Sequence, residues 1–175
     1  MARAFFLALT VVALAVMGVG GCVRTIQFQG QCEDYLKLAG DAPTVDKAVG
    51  YLRPALDYLE RNDMTRGNCA FFFRNPSSDM GLWYGNIKGA YDEAQALLER
   101  QAKNPTSVTS VDRSNLLIKI REVVIDNGSE GHTVVTSPGN AWLYPFQWLW
   151  VIGWAVFVLL GLCTAGANYM ANRAY

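Results

Sequence analysis

Two long stretches of this chain carry no charge: the twenty residues from Ala4 to Val23, and the run from Phe146 to Ala167. Twenty residues wound as an α-helix rise about 30 Å, the thickness of a bilayer's hydrocarbon core. Each run is therefore long enough to span a membrane. The pattern assigns residues 1–24 to a first transmembrane helix and residues 145–175 to a second with a short tail. Residues 25–144 are left between them. A stretch of about 120 residues can bury one compact core but hardly two. The charges follow the same division, because all 15 acidic residues and all basic residues except Arg3, Arg24 and Arg173 fall in the central stretch. We expect a mainly α protein: two terminal transmembrane helices enclosing a small helical-bundle domain with at most minor β structure.

The first run has a basic start and an apolar body, as a secretion signal does, but its body is long for one. Val19, Gly20, Gly21 and Cys22 resemble the residues before a bacterial lipoprotein cleavage site, with Cys22 as the residue that would carry lipid. The leucine that usually opens that motif is missing, and an uncleaved helix is the favoured reading. Either reading exports the central domain. Arg3 and Arg24 oppose one another across the first run, so charge bias alone does not orient it. The secretion-like start favours cytoplasmic termini and a central domain on the periplasmic or other non-cytoplasmic side.

Trp148, Trp150 and Trp154 gather with Tyr144 and Phe146 toward one end of the second run. An interfacial aromatic belt explains them better than a cofactor site, and Gln147 at that boundary is expected to be hydrated. Neither run contains an ionisable side chain of the kind that builds a proton relay or charged gate. Ala8, Ala15, Gly153 and Gly161 are small enough to permit close helix approach.

The central stretch reads as helices joined by polar turns. Cys32, Tyr35, Leu36 and Ala39 mark a short first helix that stops near Gly40. Val45, Ala48, Val49, Leu52, Leu56 and Leu59 recur at helical spacing after a cap at Asp41 or Thr44. Pro54 lacks an amide donor and is expected to kink or divide that helix. Trp83, Ile87, Tyr91, Ala94, Leu97 and Leu98 line another helix from Asp79 or Gly81 toward Asn104, with Lys88–Asp92 and Glu99–Lys103 pairs on its outer side. Ser110 is placed to cap a further helix carrying Leu116, Leu117, Ile120, Val123 and Val124. Thr133 to Thr136 is β-prone but short. Between Met64 and Met80, Phe71, Phe72 and Phe73 are expected in the core; left exposed, they would form a docking patch. Cys32 and Cys69 can close a disulfide, worth roughly 4 kcal/mol in the chain-entropy model, or remain two buried thiols.

Catalytic patterns are sparse. There is no phosphate-binding loop, no paired histidines and no cysteine cluster with metal spacing. Asp126, Glu130 and His132, the single histidine, could approach one another across a turn and offer oxygen and nitrogen ligands, but a solvated turn is the simpler reading. No catalytic, cofactor-binding or metal residue is assigned. The balanced central charge lacks the basic stripe that captures nucleic acid. The expected partners are lipids and a membrane protein, or a second copy of the chain. The leading function is a non-enzymatic accessory or scaffold subunit of a membrane assembly. An envelope ligand-binding or sensing module is the alternative, and a membrane enzyme comes third.

Overall fold

The computed structural model describes residues 2–127 and 133–173. Its dominant feature is a helix that does not stop where the apolar run stops. Helix α1 (Ala2–Phe28) passes through a π-turn at Gln29–Glu33 into α2 (Asp34–Gly40) without leaving helical geometry. The side chains explain the continuity. Thr10, Ala13, Met17, Gly21 and Arg24 are the less exposed positions of α1, and Phe28, Cys32, Leu36 and Ala39 continue the same three-or-four spacing as buried residues. Steps of four from Phe28 to Cys32 to Leu36 overshoot an α-helical turn. The wider π-turn, with the Asp34 amide donating to the Gln29 carbonyl, absorbs the overshoot and keeps all three on one face.

The central bundle then alternates direction. Helix α3 (Val45–Arg61) starts at Thr44, whose side chain accepts from the Lys47 amide at 3.4 Å; α4 (Met80–Lys103) starts at Asp79, which accepts from Leu82 at 3.0 Å. Helix α5 (Ser110–Val124) starts one residue before the expected cap: Thr109 and Asp112 form a reciprocal capping box, with bonds of 3.1 and 2.9 Å. Helix α2 packs on α3 and α5, and α4 completes the ring between them. Leu36, Leu52, Leu59, Met64, Met80, Ile87 and Ile120 fill the centre. Phe28 enters from below, its ring 6.2 Å from Tyr58 and 6.4 Å from Trp83. The β content is a two-stranded antiparallel hairpin, β1 (Ile125–Asn127) with β2 (Thr133–Val135), in which Ile125 faces Val135. Helix α6 (Gln147–Arg173) returns along α1.

Three expectations change and one open alternative, that of the cysteine pair, is decided. Helix α3 is not divided at Pro54; the proline sits within its continuous span, the missing amide bond being outweighed by the apolar face around it. Cys32 and Cys69 are buried and unbridged, and burial pushes the Cys69 thiol up. Of the two surface pairs, Lys88–Asp92 forms at 2.5 Å, and the Glu99–Lys103 bridge is not among those made by the described residues. The largest correction concerns the aromatics: Phe72 and Phe73 are 77% and 89% exposed, and Phe71 is half-buried. The Cys69 backbone amide donates to the Ser78 carbonyl, while Asn68, Asn75 and Ser78 bond one another across the loop base. That closure leaves the intervening tip outside a core already filled by helices.

Candidate functional site

The described residues hold no cluster of three or more His, Cys, Asp or Glu that could bind a metal ion. Asp126 lies on β1, while Glu130 and His132 lie outside the described residues. The place where the chain concentrates specific polar geometry is instead the junction between the α1/α6 pair and the bundle.

Arg24 is its centre. Its position on the inner stripe of α1, one turn above Gly21, aims it at the seam. One Nη donates to the Tyr144 carbonyl at 2.7 Å, the other to Asn62 Oδ1 at 3.3 Å, and the guanidinium lies 5.2 Å from the Phe146 ring centroid. A single side chain thus joins α1, the end of α3 and the segment leading into α6. Asn62 is itself held, its amide donating to the Tyr58 carbonyl at 2.8 Å. Tyr144 extends the knot: its hydroxyl donates to the Arg66 carbonyl at 2.6 Å. The neighbouring Gly67 has φ +91°, and a Cβ there would sit 2.3 Å from the tyrosine oxygen. Gln147, the first residue of α6, donates to the Asn68 carbonyl at 3.1 Å and is only 6% exposed. Expected at a hydrated boundary, it is instead buried by the α3–α4 loop. Within the described residues Gln147 Oε1 and Arg24 Nε have no hydrogen-bond partner.

Below the junction the helices approach through reciprocal notches. A Cβ on Gly21 would lie 2.6 Å from the Trp150 ring, and one on Gly153 would lie 2.8 Å from Met17 Sδ. These pairings run antiparallel, placing the far ends of α1 and α6 on the same side of the bundle. Gly153 fulfils its expected role; Gly161 has nothing within 4 Å of such a Cβ, and Ala8 and Ala15 face outward. Trp150 also meets Trp142 edge-on at 5.6 Å. Trp148, Trp154, Leu159 and Leu162 are exposed on the outer side of the pair. A groove of about 280 Å³ follows the seam beneath Arg24, lined by Met17, Gly20, Phe146, Leu149 and Trp150.

A second concavity of about 480 Å³ lies between α4 and α5, where Lys119 pairs with Glu93 near Arg100 and Asp112. On the α3–α4 side, the Tyr84 hydroxyl donates to Glu60 at 2.7 Å, and its partial burial beside that carboxylate pushes its pKa up to about 12.

Sequence reasoning treated Arg24 only as a flanking charge and gave no junction role to Asn62 or Gly67. The spacing Met17, Gly21, Arg24, Phe28 was the available signal, since it puts the arginine on the face that turns inward. Comparison with known proteins finds no matching family model, no matching curated protein and no matching solved structure.

Proposed function

We propose that this chain is an accessory or scaffold subunit of a membrane protein assembly. In this reading α1 and α6 span the bilayer, the termini are cytoplasmic, and the bundle stands on the periplasmic or other non-cytoplasmic side. The observation that carries it is the mechanical continuity from helix pair to bundle. One helix runs from the spanning segment into the outer core, and Arg24 ties that helix to both α3 and the entry of α6. Such a joint holds a domain at a set height and angle over a membrane, which is what a docking platform needs and a diffusing enzyme does not. The outward apolar surface of both helices is available to lipid and to a neighbouring membrane protein.

The test is native purification in lipid, with the composition of the particle measured by mass. A stoichiometric membrane partner that survives purification and is released by Arg24→Met supports the assembly role. The envelope ligand-binding or sensing alternative has the mixed-charge cleft between α4 and α5 in its favour. A lone particle that binds a small ligand saturably, with binding lost on Arg100→Gln, would replace the first reading by the second. Thiol labelling of single cysteines at each terminus and at Ser114 reads the orientation; labelling of the termini from outside reverses it.

A further inference from the structure

The exposed aromatics of the α3–α4 loop are the apolar feature that neither the bundle nor the helix pair absorbs. Their position is constrained. The chain runs up α1 and α2, down α3, up α4 and down α5, so the α3–α4 connection belongs to the end of the bundle that meets the helix pair. The loop is bonded there: Asn68 to Gln147 and Arg66 to Tyr144. Phe72 is four residues from Asn68, so its Cα lies no more than about 14 Å from that anchor. Asn75, bonded back to Asn68, restrains the other side. The anchor sits at the first turn of α6, among Trp142, Tyr144, Phe146 and Trp148. A headgroup layer is roughly 5–7 Å deep on each side of the hydrocarbon, within reach of the tip.

Composition matches that depth. Around the phenylalanines the loop holds Arg66 and Arg74, both exposed, and its two acidic residues, Asp63 and Asp79, stand at its ends beside α3 and α4. Isolated exposed apolar residues need no explanation, but adjacent bare phenylalanines flanked by arginines have the make-up of segments that lie in the bilayer interface and favour anionic lipid. We propose that the α3–α4 loop is a third, shallow membrane contact: Phe72 and Phe73 enter the interfacial layer of the outer leaflet while Arg66 and Arg74 engage lipid phosphates. This rests on α1 and α6 spanning the bilayer. With the Arg24 joint holding the bundle to the helix pair, the contact would resist tilting of the whole protein in the bilayer.

The full chain, with Cys22→Ser and Cys163→Ser removing the exposed thiols, is placed in phosphatidylcholine and phosphatidylglycerol nanodiscs with a nitroxide at one introduced cysteine. Phe73→Cys is compared with Leu159→Cys on the outer face of α6 and with Ser114→Cys at the far end of the bundle. The expected result is a ratio of oxygen to aqueous-chelate accessibility at Phe73→Cys several-fold above that at Ser114→Cys and below that at Leu159→Cys. Arg66→Gln with Arg74→Gln lowers it in the mixed lipid and leaves it unchanged in phosphatidylcholine alone. An aqueous signal at Phe73→Cys, with Leu159→Cys in lipid, overturns the loop contact and spares the spanning reading. Aqueous signals at both sink the spanning reading and this inference with it. Shielding of Phe73→Cys from both reagents assigns the patch to a protein partner and also overturns the proposal.

Discussion

The helix pair and the bundle are held together by opposite arrangements of the same apolar residue types. In the bundle the large side chains are inside: Leu36, Leu52, Leu59 and Ile87 are completely buried. In the pair they are outside, and the seam is built around Gly21 and Gly153. The first helix contains both regimes and changes from one to the other at Arg24. Water explains the bundle, since burying an aliphatic side chain there contributes about 1.5–3 kcal/mol. In the proposed bilayer setting of the pair that force would be missing, and close backbone approach with well-fitted side chains would take over. The contrast teaches that apolar content alone does not tell an inward face from an outward one: Gly21 and Gly153 line the seam, whereas Gly161, Ala8 and Ala15 lie off it.

The comparison is broken most severely by truncating a bundle residue. Leu59→Ala is expected to destabilise the bundle by about 2–5 kcal/mol, whereas Leu159→Ala, on a side chain 61% exposed, leaves its unfolding midpoint unchanged. Denaturant titration in detergent, followed by tryptophan fluorescence, checks both; equal losses would show that the two regions share one core. Next in size is the seam. Gly21→Val drives a side chain into the Trp150 ring and should cost about 1–3 kcal/mol of overpacking, read as a widened distance distribution between labels on α1 and α6 with the bundle intact.

Arg24→Met tests the joint between the regions. Loss of its bonds to Tyr144 and Asn62 should cost about 1–2 kcal/mol, less than for a fully buried charge because the site is partly open. The sharper outcome is uncoupling: the bundle unfolds at its usual midpoint while amide exchange in the Tyr144 segment and the Arg66–Asn68 loop rises. Unchanged exchange there would remove Arg24 from its role as clamp. The smallest effect belongs to the far end of the bundle. Thr109→Ala removes a helix cap and should cost about 1 kcal/mol. The Thr109 amide and hydroxyl hold the Asp112 carboxyl below its ordinary range. Its contribution is therefore present above the unfolded-state value and lost as pH falls through the lower folded-state value. Asp112→Asn should flatten that acid limb of the stability profile, and an unaltered limb would assign it elsewhere.

Much of the fold was legible because local rules govern it. Uncharged runs of spanning length marked α1 and α6, and helical periodicity located α3, α4 and α5 with their caps displaced by at most a residue or so. Strand β2 falls within the β-prone run Thr133 to Thr136, but its partner Ile125–Asn127 carried no strand signal of its own. The failures share a cause. Phe71 to Phe73, Gln147 and Pro54 were read from residue type, and type sets the cost of an environment without saying which environment the rest of the molecule leaves available. Three consecutive aromatics suggest burial until a closed loop base holds them away from a filled core. A glutamine at a membrane boundary suggests hydration until a loop folds over it. The junction was hidden for the same reason: Arg24, Asn62 and Tyr144 are separated by 38 and 120 residues from the arginine outward, and no local pattern joins them. The sequence by itself determined where helices form and which of their faces are apolar, since those depend on neighbours a turn away. Only the tertiary structure decided that α1 continues into the bundle, that Arg24 ties its two halves together and that Phe72 and Phe73 stay outside, because each depends on which distant surfaces meet first and exclude the others.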